Sequence, residues 1–158
     1  MPFYYIYSSN SPTSPRIPLD TTKVKCYDID ALIHLGDGIS DLYYYKNQIT
    51  AKIYTVRGNC DDLCVDDDLI LETDAGKILF THGHNYSVNS DLLNLAFYSR
   101  ELGCNYAFYG HTHVSSEDFY EGVTLINPGS ACRPRDGFPS YAISFTSNGK
   151  LITKIMTI

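Results

Sequence analysis

The chain has 158 residues, 44% of them hydrophobic, and a formal net charge of -6. That length supports one domain with a real core, over residues 1–158, and not two. The acidic balance excludes a strong nonspecific nucleic-acid binder, which needs a basic face against phosphates, yet leaves a phosphorylated substrate open, because a bound dication inverts the local field.

Cys26, Cys60, Cys64, Cys104 and Cys132 are odd in number and suggest no disulfide framework, which fits a reducing compartment. The opening Phe3-Tyr4-Tyr5-Ile6-Tyr7 is too short for a signal-peptide core, and no stretch reaches the apolar length of a membrane helix. The expectation is a soluble cytoplasmic protein with no membrane partner.

In chain order, residues 3–7 read as a first strand. Residues 8–18 carry Pro12, Pro15 and Pro18 among serines, which opposes a continuous helix. A helix is expected after Pro18, capped by Asp20 or Thr21. Residues 31–35, 52–56, 78–81 and 106–109 are short apolar runs bounded by glycine and read as buried strands. Between the first two, residues 40–48 suit a short helix with Ser40 as N-cap, and Tyr43, Tyr44 and Tyr45 read as helix and edge packing. Residues 91–102 make the clearest helix, capped by Ser90, with Leu92, Leu95, Ala96 and Leu102 on its apolar side and Gly103 at its end. Asp74-Ala75-Gly76, Glu121-Gly122 and Asn148-Gly149 are hairpin signals. Strands and helices interleave early and hairpins dominate late, so the fold class is α/β, with a mixed sheet or two sheets packed face to face.

The chemistry lies at strand ends. His34-Leu35-Gly36-Asp37-Gly38, Arg57-Gly58-Asn59-Cys60-Asp61, Thr81-His82-Gly83-His84 and Gly110-His111-Thr112-His113 each follow an apolar run. In open α/β sheets, loops beyond the carboxyl ends of neighbouring strands converge on ligands. Asp37 offers a carboxylate able to bridge two ions, Asn59 an amide oxygen, and His82, His111 and His113 imidazole nitrogens. A mixed nitrogen and oxygen set suits Mn(II), Fe(II) or Zn(II) better than Ca(II). Taken singly, Asp37 or Asn59 reads as a turn residue and the His82–His84 pair as a polar loop; together they favour metal binding. A structural zinc site from Cys60, Cys64, His82 and His84 is the competing arrangement, though its spacing is unlike the usual paired-ligand patterns. His34 reads as a strand-end or core histidine, and Asp66-Asp67-Asp68 as a solvated loop.

These motifs, with Ile126-Asn127-Pro128-Gly129-Ser130 and Arg133-Pro134-Arg135 later in the chain, resemble the calcineurin-like metallophosphoesterase superfamily, in its small bacterial and archaeal phosphodiesterase branch. The resemblance implies a β-sandwich of two mixed sheets flanked by α-helices. It implies two divalent ions between the sheets, a small phosphoester substrate, and hydrolysis by metal-bound water or hydroxide. Asp37 would bridge the ions, Asn59, His82 and His111 would complete one site, and His113 would belong to the other. The family's Asp-x-His pair after the first strand is replaced by Ser9 and Ser11, poor neutral ligands. That implies one intact site, a degraded second site and reduced turnover, with Asn10 or a substrate oxygen as possible compensation.

The resemblance also places Cys60 or Asp61 where relatives hold a proton donor for the leaving group, Arg57 where a guanidinium steadies phosphate, and His84 at a ligand through its carbonyl or just behind one. Arg133 and Arg135 suit either the substrate or a surface loop. The alternative function is an inactive or weak scaffold for protein contacts, like the retromer subunit of the same fold; a homo-oligomer is compatible with either.

Overall fold

Strands covered on both faces carry near-continuous apolar runs, and residues 31–33 of one sheet and 78–80 of the other are such runs, all buried. The computed structural model describes residues 2–8, 28–62 and 64–158. Ser9, Asn10, Ser11, the helix expected after Pro18 and Cys26 lie outside the described residues, as do the side chains of Tyr43, Tyr44 and Tyr45.

The strands are β1 (Phe3–Tyr7), β2 (Ala31–His34), β3 (Lys52–Thr55), β4 (Asp68–Thr73), β5 (Gly76–Thr81), β6 (Cys104–Phe108), β7 (Ser115–Tyr120), β8 (Val123–Pro128), β9 (Ser140–Ser147) and β10 (Lys150–Thr157). They form two five-stranded sheets, in orders β10-β9-β1-β2-β3 and β4-β5-β6-β8-β7. In the first, β1, β2 and β3 run parallel while β9 pairs antiparallel with both β1 and β10. In the second, β5, β6 and β8 run parallel between antiparallel β4 and β7. Both sheets are therefore mixed, as expected.

Side-chain alternation sorts the core into layers. Tyr4, Ile6, Ile33, Ile78, Phe80, Phe108 and Ile126 meet between the sheets, with the Phe80 and Phe108 rings stacked at 5.3 Å. Tyr5, Tyr7, Leu32 and Tyr141 form a second cluster on the other face of the first sheet, joined by Leu42 from helix α1 (Ile39–Tyr45). Leu79, Ala107 and Leu125 form a third on the other face of the second sheet, under Leu95 and Ala96 of helix α2 (Leu93–Glu101).

The helix starts correct two expectations. Ser40 is not the N-cap of α1: the helix begins at Ile39, its N-cap is left-handed Gly38, and the acceptor at that end is the Asp61 carboxylate, which receives Gly38 N–H at 2.8 Å and Ile39 N–H at 3.1 Å. Helix α1 also stops at Tyr45, followed by a 3-10 turn over Lys46–Gln48. Ser90 does not cap α2; Asp91 accepts Leu93 N–H at 2.9 Å instead. The Glu121-Gly122 and Asn148-Gly149 turns have positive φ at both residues, the backbone that two-residue hairpins require. The 66–68 run is not simply solvated. Asp67 binds Arg57 at 2.7 Å and Asn85 at 3.2 Å, and Asp68 accepts the hydroxyls of Tyr86 at 2.5 Å and Tyr98 at 3.2 Å.

Candidate metal centre

Parallel pairing puts the carboxyl ends of β2 and β3 side by side in one sheet, and those of β5 and β6 side by side in the other. The two pairs meet at one end of the sandwich. Gly110 N–H donates to the carbonyl of His82 at 3.1 Å, and Val56 N–H to that of His34 at 3.2 Å. His82 bridges the sheets, donating from Nδ1 to the Leu35 carbonyl at 2.7 Å.

His82 is fully buried and is the hub of the site. Its Nε2 lies 3.1 Å from Asn59 Oδ1, 3.1 Å from His111 Nδ1 and 3.4 Å from Asp37 Oδ2. The Leu35 carbonyl can only accept, so Nδ1 must carry a proton. Nε2 then faces a carboxylate oxygen and an amide oxygen, both acceptors. Either it holds a second proton or a cation belongs in the space these atoms share. Two ligand atoms each about 2.1 Å from one cation lie about 3.0 Å apart in octahedral geometry and about 3.4 Å apart in tetrahedral geometry. The donor types and their spacing therefore fit a divalent ion. Among the described residues, no three His, Cys, Asp or Glu side chains close into a ligand cluster by themselves.

The backbone is bent to deliver these groups. Asp37, His111 and His113 adopt left-handed conformations, with φ of 57°, 66° and 62°. Such conformations cost L-residues free energy and persist where the surroundings impose them. A methyl group at Gly58 would stand 2.0 Å from Asp37 Oδ1, so the loop after β3 closes over that carboxylate only as glycine. Burial pushes the Asp37 carboxyl up, but the hydrogen bond and charge of His82, with the hydrogen bonds from Cys60, outweigh it and bring the pKa down to about 2. Burial lowers the pKa of His111, with the neighbouring His82 adding to the effect, and so favours the neutral, ligating imidazole.

His113 does not join the cluster by direct contact. Its Nδ1 donates to the carbonyl of Arg133 at 2.8 Å. Burial lowers its pKa against the raising effect of that hydrogen bond. The His84 ring lies 5.3 Å from that of His82 and 6.3 Å from that of His111, behind the hub. His34 is buried and takes a hydrogen-bond role, its Nδ1 3.1 Å from the Thr55 hydroxyl.

Three residues expected in catalysis, Asp61, Arg57 and Cys60, have defined partners in the structure. The carboxylate of Asp61 accepts four backbone N–H groups, from Asp37 at 2.7 Å, Gly38 at 2.8 Å, Ile39 at 3.1 Å and Gly58 at 2.9 Å. It is occupied in locking the Asp37 loop to the Asn59 loop. The Nε of Arg57 is taken by Asp67 at 2.7 Å, which turns that charge toward a carboxylate. Cys60 donates its N–H to Asp37 Oδ1 at 2.8 Å, and its thiol pKa is raised by burial and then by the Asp37 charge. Cys60 and Cys64 are exposed free thiols, with no structural zinc cluster among the described residues.

Asn127, named in the sequence only as part of the late motif and given no role there, is fully buried. Its side-chain amide donates to the Gly110 carbonyl at 3.0 Å and to the Thr112 hydroxyl at 2.9 Å, bracing the loop that carries His111 and His113. An asparagine near the end of a buried strand, directly before Pro-Gly, was the available signal. The Leu35 carbonyl, which orients His82, has none.

Comparison with known proteins identifies the family and the fold. Residues 16–149 match the calcineurin-like phosphoesterase superfamily domain. The chain is 34% identical over 123 residues to a probable metallophosphoesterase of Bacillus subtilis, covering 77% of this chain and 71% of that protein. It is 29% identical to a phosphodiesterase of Methanocaldococcus jannaschii, covering 73% of this chain and 76% of that one. Among solved structures, a predicted phosphoesterase from Streptococcus pneumoniae superposes with a TM-score of 0.79 at 25% identity, covering 99% and 89% of the two chains. The Vps29 of Entamoeba histolytica complexed with Zn2+ shares the fold alone, with a TM-score of 0.76 at 17% identity and 98% of each chain covered. The motifs, the two mixed sheets and these matches together make the chain a member of the calcineurin-like phosphoesterase superfamily.

Proposed function

We propose that the protein is a metal-dependent phosphoesterase, with phosphodiesters as its substrate class, and that Asp37, Asn59, His82 and His111 hold one divalent ion, Mn, Fe or Zn. The observation that carries this reading is the set of three donor atoms at 3.1–3.4 Å around the buried His82 Nε2, two of which are acceptors only. When bound, the ion supplies Lewis-acid polarisation of a phosphoryl oxygen and acidifies water. The chain's own part is placement. Leu35 fixes the His82 tautomer, Asp61 holds the Asp37 loop against the Asn59 loop, and Asn127 braces the His111 loop. A diester carries one negative charge at the phosphoryl group and a monoester up to two, so a site with one firmly held ion suits the diester better.

Cys60 keeps its proton beside the site, and we assign it, rather than Asp61, as the side chain with a proton to offer a leaving group. With a pKa raised above the ordinary thiol value it is a slow donor, so poor leaving groups depend on water. Arg57, held by Asp67, acts in structure.

The test is hydrolysis of bis(para-nitrophenyl) phosphate by the full chain. Activity is expected to appear with Mn2+, vanish with EDTA and return on adding the ion. Asn59→Ala combined with His111→Ala is expected to lower it at least about a hundredfold. Activity indifferent to chelator and to these substitutions would sink the reading.

The second reading is a protein-contact scaffold on this fold. Phe119 and Phe138, each 70% exposed, are the observation in its favour. It predicts neither bound transition metal nor hydrolysis, and elemental analysis separates the two. No helix among the described residues is long and apolar enough to cross a membrane.

A further inference from the structure

Helix α1 has seven residues and does not roof the edge of the first sheet. Alternate residues along a strand point to one face, and in-register neighbours share it. Ile53 pairs with Leu32, so Ala51, Ile53 and Thr55 lie on the outer face with the cluster of Leu32, Leu42 and Tyr141. Leu32 and Tyr141 are fully buried at the centre of that cluster, whereas Ala51 and Ile53 at its margin are only half-buried.

The margin is a cleft of about 390 Å³ between α1 and β3. Its size falls in the range of about 300–1,000 Å³ usual for small-molecule sites. Ile39 and Leu42 line the helix side, Ala51 and Ile53 the strand side. Among the described residues that line it, Lys46 is the only charged one and Thr55 the only other polar one. The Thr55 hydroxyl is already engaged, 3.1 Å from His34 Nδ1 and donating to the Val56 carbonyl at 3.3 Å. Lys46 is exposed, directly after the end of α1, and forms no ion pair with any described residue.

Both walls are set in advance. Ile39 N–H is held by the Asp61 carboxylate at 3.1 Å, and β3 is in register with β2 from Lys52 to Thr55. A ligand that enters therefore pays little to order the site. Apolar walls with a single unpaired cation complement an aliphatic chain that ends in an anion. Hydrocarbon alone leaves the ammonium unused, and a compact anion leaves the walls wet.

We propose that this cleft binds a small aliphatic carboxylate, its chain lying between α1 and β3 and its carboxylate against the Lys46 ammonium. None of Asp37, Asn59, His82 and His111 lines the cleft, so the site is separate from the metal centre and stands without the phosphoesterase reading.

The probe is octanoate, titrated calorimetrically into the full chain stripped of metal with EDTA. Hexanoate and heptanoate extend the series, and octanol and octylammonium replace the charge. Affinity is expected to rise about fourfold with each methylene from hexanoate to octanoate, and octanol and octylammonium to bind at least about fivefold more weakly than octanoate. Lys46→Ala is expected to weaken octanoate binding about fivefold and Lys46→Glu at least about tenfold, with thermal melts like wild type. Lys52→Ala, at an exposed lysine that lies over the Tyr54 ring outside the cleft, is expected to match wild type. Asn59→Ala combined with His111→Ala is also expected to bind octanoate like wild type. No octanoate binding by wild type, equal affinity in Lys46→Glu, or equal binding of octanol or octylammonium overturns the proposal. Octanoate binding that disappears in the metal-centre double variant places the carboxylate elsewhere and overturns it too.

Discussion

Asp61→Ala is expected to destabilise the protein by about 3 kcal/mol and to weaken metal binding at least about tenfold. The reason is the number of groups it satisfies. Four backbone N–H groups, on residues 37, 38, 39 and 58, share its two oxygens at 2.7–3.1 Å. Removing the carboxylate leaves partly buried donors without their acceptor, and each such loss costs free energy comparable to a hydrogen bond. The same change frees the left-handed Asp37 backbone and the N-terminus of α1, so the ligand loop and the helix loosen together. In a chain of this size about 3 kcal/mol corresponds to a fall of about 6–12 °C in melting temperature. Asp61→Asn keeps one acceptor oxygen and is expected to recover part of both losses. A proton donor behaves otherwise: its Asn variant would lose the basic limb of the pH–rate profile while binding metal like wild type. Calorimetry and a pH–rate profile on the two variants distinguish these roles.

Acid is expected to weaken the metal-free protein through His34. This imidazole is fully buried, and burial lowers its pKa from an ordinary 6.5 to about 4. A base with a depressed folded pKa binds fewer protons folded than unfolded between those two values. Its contribution is thus complete above about pH 6.5 and is lost as pH falls through about 4. For a pKa of about 4 against 6.5, the loss between pH 7 and pH 5 is about 2 kcal/mol, approaching about 3 kcal/mol at lower pH. His34→Leu removes the titrating group. It leaves the Thr55 hydroxyl satisfied, because that hydroxyl donates to the Val56 carbonyl at 3.3 Å. Urea unfolding in EDTA at pH 7 and pH 5 checks this: the difference between the two pH values is expected to shrink by about 2 kcal/mol in His34→Leu. An unchanged difference would show that other groups carry the acid response.

Much of this arrangement was legible because strand ends and ligand chemistry are local properties. Ile78, Leu79 and Phe80 announce a strand whose two faces are both covered, and His82 follows it at once. Asp37, Asn59, His82 and His111 were recognisable by residue type and order. The caps and the charge pairings were not legible. Ser40 has the right chemistry for an N-cap, but the acceptor that serves α1 comes from Asp61, 23 residues beyond Gly38, through tertiary contact. Arg57 looked like a phosphate ligand for the same reason: nothing in sequence shows that Asp67 lies across from it. Asp66-Asp67-Asp68 looked like a solvated run until tyrosines from the 3-10 turn at His84–Tyr86 and from α2 reached Asp68.

The most direct measurement of the central claim is metal stoichiometry. The full chain, stripped with EDTA and reloaded with Mn2+, should retain about one tightly held ion per chain after desalting, read by elemental analysis, and Asn59→Ala combined with His111→Ala should retain none. Wild type that leaves the column without metal, or a double variant that holds as much as wild type, would contradict a shared cation among Asp37, Asn59, His82 and His111.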